Sequence, residues 1–181
     1  KGREGAGTAV LTTGPAGRGK RGLAAEIAEL VNGAAAETVF AGGATDVHLT
    51  GPESKSRRIA IEQIRALEHA LQMRASGGRR KVAIISEADR LGTQAANAFL
   101  KTLEEPPNNS LLLLLSSIPE VLPDTIISRC LALHLTAPND TARTSDEQDL
   151  LALLEALAAE KQGAGVHAAY RLTQGFQRLL G

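Results

Sequence analysis

The chain has 181 residues, 43% of them hydrophobic, with 20 basic and 20 acidic side chains that cancel. That is enough apolar content for one full domain, or one domain with a small appendage, and too much for disorder. Zero net charge argues against a free-standing nucleic-acid binder working through bulk charge, and the single cysteine, Cys130, leaves no intramolecular disulfide and no cysteine-based zinc site.

The only aromatic residues are Phe40, Phe99, Tyr170 and Phe176, so the core must be built from Leu, Ile, Val and Ala. The longest clear apolar run, residues 111–115, is far short of a membrane span. No signal peptide is visible, and a cytoplasmic location is expected. The sequence opens at Lys1 rather than Met and reads as a piece of something longer.

In chain order, Ala9-Val10-Leu11-Thr12 predicts a strand that runs into a glycine-rich loop at residues 14–20. Leu23, Ile27, Leu30 and Val31 then recur at helical spacing, with Asn32-Gly33 as the stop. Residues 34–56 read as irregular, with a short strand at 46–50. A second helix is expected over 57–74, carrying Ile61, Ile64, Leu67 and Leu71 on one face and ending at Gly77-Gly78. Residues 82–85 are apolar without alternation, as a strand buried on both faces of a parallel sheet requires. A helix over 93–103 is stopped by Pro106-Pro107, and residues 111–115 predict another two-sided strand. Leu131, Leu133 and Leu135 alternate and suggest one more. The strand–helix order implies a parallel α/β sheet over residues 1–137. Residues 138–146 read as a polar linker, and two helices should follow within 138–181, the first opened by a Ser145–Gln148 capping box.

The loop Gly14-Pro15-Ala16-Gly17-Arg18-Gly19-Lys20 fits G-x-x-x-x-G-K, most of a Walker A motif. Gly14, Gly17 and Gly19 would let backbone N–H groups curl around phosphate oxygens, the helix would aim its positive end at them, and Lys20 would reach the outer phosphates. The plain alternative is a glycine-rich turn that only caps a helix. A Ser or Thr normally follows the lysine and holds Mg²⁺. Here that residue is Arg21, whose charge opposes a cation. The run Val82-Ala83-Ile84-Ile85-Ser86-Glu87 has the shape of a Walker B strand. Its metal-supporting position holds Ser86, while Glu87 stands where a water-activating carboxylate would sit, or is simply a solvated charge. Both metal-holding positions are thus lost while the phosphate cradle is kept, and no metal site is expected. The four histidines, His48, His69, His134 and His167, show no ligand spacing.

Two longer stretches carry a resemblance. Asn97-Ala98-Phe99-Leu100-Lys101-Thr102-Leu103-Glu104-Glu105-Pro106-Pro107 resembles the N-A-L-L-K-x-L-E-E-P-P motif of bacterial clamp-loader subunits. Leu122-Pro123-Asp124-Thr125-Ile126-Ile127-Ser128-Arg129-Cys130 resembles their L-P-x-T-I-x-S-R-C motif. Asp46-Val47-His48 and Ile61-Glu62-Gln63-Ile64-Arg65 resemble two weaker blocks of the same family. The motifs fall in the family's order from about residue 8 to about residue 138, and the family is the AAA+ clamp-loader subunits of DNA polymerase III. The degenerate Walker positions look delta-prime-like rather than like the gamma/tau motor subunits. The family's four-cysteine zinc module has no counterpart in residues 33–46, so no zinc is expected.

The resemblance implies a three-layer parallel-sheet P-loop core followed by a small helical region, either a reduced lid or the start of a collar. It places Ser116 and Ser117 at the sensor 1 position that feels the γ-phosphate, although ordinary strand-end hydroxyls would look the same. It implies that Arg129 points out of its own subunit, unpaired by its own chain, into a neighbour's ATP site. There its planar, always-charged fork would act as an arginine finger. The alternative is a surface salt bridge. Cys130 reads as a small buried residue rather than a nucleophile. Lys55, Arg57, Arg58, Arg79, Arg80 and Lys81 are the densest basic positions and read as a solvated face, or as a DNA-facing surface in the assembled loader. The implied partners are gamma/tau-like subunits and a delta subunit, with the sliding clamp and primed DNA reached through the complex and no membrane. No ATPase activity of its own is expected and no cofactor is required, while ATP, ADP or a phosphate-like anion fits the loop. The competing expectations are an ATP-hydrolysing motor subunit and an unrelated P-loop kinase.

Overall fold

A computed structural model of the chain describes residues 8–53, 58–76 and 79–135. Strands β1 (Thr8–Thr13), β2 (Val47–Thr50), β3 (Lys81–Ile85), β4 (Ser110–Ser116) and β5 (Leu131–His134) form one sheet in the order β2-β3-β4-β1-β5. Every pairing is parallel. The helices are α1 (Lys20–Asn32), α2 (Ala36–Val39), α3 (Ile61–Gln72), α4 (Thr93–Glu104) and α5 (Asp124–Ile127). The helical region expected over residues 138–181 lies outside the described residues.

Side-chain alternation along the strands divides the core into two layers. Val10, Val82, Ile84, Leu111 and Leu113 face α1, where they meet Leu23, Ile27 and Val31. Leu11, Ala83, Ile85, Leu112 and Leu114 face the other way, onto Ile64, Leu67 and Leu71 of α3 and Ala95, Phe99 and Leu103 of α4. Every residue of β3 and β4 is buried, because these two adjacent strands have helices on both faces. The three-layer α/β core and the inward face of α4 are therefore as expected. Among the described residues β5 pairs only with β1, at the edge of the sheet, and there Leu133 and Leu135 are buried while Leu131 is exposed.

Three local departures have physical causes. The second helix starts at Ile61, later than the expected residue 57. The backbone at Ile59 is extended and held by Arg90 O and Gly92 N, at 2.9 and 3.1 Å, in an isolated parallel bridge to Leu91. Gln63 then sets the start of α3: its side-chain oxygen accepts from the Ala60 N–H and its amide donates to Gly51 O. The stretch read as irregular contains α2, whose Val39 is buried against the α1 layer. The basic positions Arg80 and Lys81 are neither a solvated face nor a DNA face, since both are buried. Lys81 Nζ donates to the Ala70 carbonyl near the end of α3, and an Arg80 guanidinium N–H donates to Ser110 O. They fasten the start of β3 to its neighbours. Arg58 and Arg79 are exposed, and Lys55 and Arg57 lie outside the described residues.

Candidate phosphate-loop site

A parallel sheet directs the carboxyl ends of its strands to one edge, where loops gather ligand-binding groups. At that edge β1 ends at Thr13, in register with Ser116 of β4 and His134 of β5. The loop of residues 14–19 leaves β1 there and enters α1.

Two of its glycines are required by geometry. Gly14 has φ +142°, and a Cβ on it would stand 2.5 Å from the Leu135 carbonyl oxygen, so the extension of β5 leaves no room for a side chain. Gly19 caps α1 in the left-handed region, at φ 74°, without a side-chain hydrogen bond to the helix start. The first-turn N–H groups of a helix have no intrahelical partner, which leaves them directed at whatever sits in the loop. Gly17 also has positive φ and lies open.

Lys20 is buried, and its Nζ donates to the Gly14 and Pro15 carbonyls at 2.7 and 2.8 Å. Its ammonium thus closes the loop onto itself. Burial lowers its pKa from the ordinary lysine value, and the charge of Asp89 acts in the opposite direction.

The positions that hold Mg²⁺ in a complete Walker pair are committed elsewhere. Arg21 is exposed, with its guanidinium carbon 4.3 Å from the centroid of the Phe40 ring. Ser86 donates its hydroxyl to Thr50 O at 3.2 Å. Glu87 sits in the left-handed region at φ 54°, its side chain 61% exposed and 3.9 Å from Arg90. Among the described residues no group of three or more His, Cys, Asp or Glu is placed to hold a metal ion.

Asp89 was not a candidate from the sequence. The left-handed Glu87 opens a 3-10 turn at Ala88–Arg90 that swings Asp89 back to the sheet edge. Its side chain is only 8% exposed. One carboxylate oxygen accepts the Ser116 hydroxyl at 2.8 Å and the Ser117 N–H at 3.1 Å. The structure therefore brings Gly14, Gly17, Gly19, Lys20, Ser116 and Ser117 to one edge, adds Asp89, and turns Arg21 and Glu87 outward. An acid four residues past the end of β3 was the available signal. It was legible only with the turn geometry in hand.

Arg129 follows α5. The expectation that its guanidinium is unpaired within its own chain is corrected: Nε and Nη2 both donate to Glu104 Oε1, at 2.9 and 2.5 Å, and Nη1 donates to Thr125 O at 2.8 Å. The carboxylate is not buried, however. The two side chains are 32% and 51% exposed, so the pair is a surface contact. Beside it, burial pushes the Cys130 thiol up to about 11, which suits a packing residue and not a nucleophile. Among the described residues, no helix is long and apolar enough to cross a membrane.

The chain is similar to known proteins along most of its length. A family profile described as "DNA polymerase III, delta subunit" matches residues 3–139. The delta' subunit of DNA polymerase III from Pseudomonas aeruginosa is 37% identical over 146 residues, covering 74% of this chain and 44% of that protein. The tau/gamma subunit from Haemophilus influenzae is 44% identical over 84 residues, 46% of this chain and 12% of the relative. The crystal structure of a DNA polymerase III gamma subunit-related protein from Thermotoga maritima superposes with a TM-score of 0.62 at 26% identity, covering 96% of this chain and 53% of that one. The chain thus spans less than half the length of these two curated relatives.

Proposed function

The chain belongs to the DNA polymerase III delta subunit family of clamp-loader proteins, and on that premise we propose that it is a delta-prime-like subunit that does not hydrolyse ATP and acts on a neighbour's site. The observation that carries this reading is the split at the sheet edge. In its support, Gly14 and Gly19 have the positive φ that a phosphate loop uses and Lys20 folds back over that loop, while the two positions that would hold a metal point elsewhere, Arg21 over Phe40 and Ser86 to Thr50 O. Phosphoryl transfer depends on a metal that neutralises developing charge, and a site that cannot hold one loses most of its rate.

On this reading the chain works in the cytoplasm within a ring that includes gamma/tau-like subunits and a delta subunit. Arg129 is its contribution in trans to hydrolysis. The ring, and not this chain alone, opens the sliding clamp and places it on primed DNA. The Arg129–Glu104 pair is compatible with that role because an exposed ion pair contributes only about 0–1 kcal/mol and is readily exchanged for a phosphate partner.

A second reading, an ATP-hydrolysing motor subunit, is favoured by the retained Glu87 and by the 44% identity to a tau/gamma subunit. Steady-state ATPase assay of the purified chain separates the two. The delta-prime-like reading expects no turnover and a stable complex with gamma/tau subunits in gel filtration. Turnover that disappears in Lys20→Ala would establish the motor reading in its place.

A further inference from the structure

We propose that the Asp89 carboxylate is a built-in stand-in for a terminal phosphate, so that the loop of residues 14–20 accepts a nucleoside diphosphate and rejects the triphosphate. The inference rests on the phosphate-loop reading above and assigns that site its ligand class.

Ser116 is the residue of β4 in register with Thr13, the last residue of β1 before the loop. Lys20 and the β4 terminus flank the same edge, with Asp89 close enough to act on Lys20 through its charge, so a phosphate chain held by Lys20 would extend toward this strand end. At this strand end the Ser116 hydroxyl and the Ser117 N–H both go to one oxygen of Asp89. The Asp89 side chain is more than nine-tenths buried, and Arg90 Nε lies 3.8 Å from its other oxygen. The Asp89 carboxylate is thus held by two donors, and its charge acts on Lys20.

A γ-phosphate would meet this carboxylate at close range. Like charges brought together with little water between them repel strongly, and the incoming phosphate would find its donors already taken. A diphosphate stops short. It would use the loop N–H groups and Lys20, which needs only to exchange the Gly14 and Pro15 carbonyls for phosphate oxygens.

The test is calorimetric titration of the whole chain with ADP and with ATP, each in EDTA and again with Mg²⁺. The proposal expects wild type to bind ADP at least about tenfold more tightly than ATP. Asp89→Asn keeps the shape, removes the charge and adds an amide donor. It should raise ATP affinity by about tenfold or more while moving ADP by less than about threefold. Thermal melts establish that the variant is folded, and the wild-type ratio is a readout that needs no variant. Equal affinities for ADP and ATP in wild type, abolished together by Lys20→Ala, would overturn the proposal and leave the phosphate loop standing. The same holds if Asp89→Asn shifts both nucleotides alike. Binding of neither nucleotide to wild type or to folded Asp89→Asn would overturn the phosphate-loop reading and this proposal with it.

Discussion

Arg129 and Glu104 are 25 residues apart in sequence, yet the guanidinium of one grips a single carboxylate oxygen of the other through two nitrogens, at 2.9 and 2.5 Å. Glu104 ends α4, and Arg129 follows α5, so the contact ties the two clamp-loader-like motifs together at the surface. Half of the Glu104 side chain is exposed. An ion pair in that setting holds a conformation at little energetic cost to release.

Glu104→Gln should therefore lower the stability of the chain by no more than about 1 kcal/mol, measured by urea denaturation. In a reconstituted loader it should leave ATP hydrolysis at or above the wild-type rate, because the arginine is freed. A rate as low as that of an Arg129 variant would mean that Glu104 holds Arg129 in its working position.

Phe99 is fully buried at the centre of the layer formed by α3, α4 and the sheet. Phe99→Ala should cost about 3–5 kcal/mol in the same denaturation experiment. A loss below 1 kcal/mol would contradict the packing described for α4.

Gly14 and Gly17 differ in a way that substitution can read. Gly14→Ala meets the Leu135 carbonyl at 2.5 Å, whereas Gly17→Ala meets nothing within 4 Å and bears only the strain of its positive φ, about 1–2 kcal/mol. Gly14→Ala should be the more damaging of the two in thermal melts. Equal melting temperatures would mean that β5 does not press on the loop.

Cys130 links packing to pH. Its thiol is raised from 9.0 to about 11 by burial, so the folded chain keeps the proton that the unfolded chain loses. The resulting stability is complete below pH 9 and falls as pH rises toward 11, by about 2–3 kcal/mol over that window. Cys130→Ala should flatten this part of the stability profile. In the native protein, alkylation by iodoacetamide at pH 8 should be slow, and rapid alkylation would place the thiol in solvent.

The parts of the molecule that were legible in the sequence are those with local causes. Residues 82–85 and 111–115 do not alternate, and only a strand covered on both faces tolerates that, so the centre of the sheet could be read directly. Gly14 and Lys20 marked the loop, the one because a side chain there would strike the Leu135 carbonyl, the other because its ammonium reaches back over the loop. What could not be read depends on long-range placement. Arg80 and Lys81 look like a solvated charge run until the Ser110 and Ala70 carbonyls are brought to them. Asp89 looks like a surface acid until the left-handed Glu87 turns it inward. The Arg129–Glu104 pair joins two motifs that were each recognised, but nothing in either indicates that they touch.

On the proposed reading, this chain acts on a neighbour's ATP site through Arg129 and not on its own. Single-turnover ATP hydrolysis by the loader, reconstituted with clamp and primed DNA, tests it most directly. With Arg129→Ala, assembly should persist while hydrolysis at the one adjoining motor site falls by about 10³–10⁵-fold, the range that arginine fingers supply. Arg129→Lys should restore little, because an ammonium lacks the planar fork. Wild-type kinetics at every site with Arg129→Ala would contradict the role in trans.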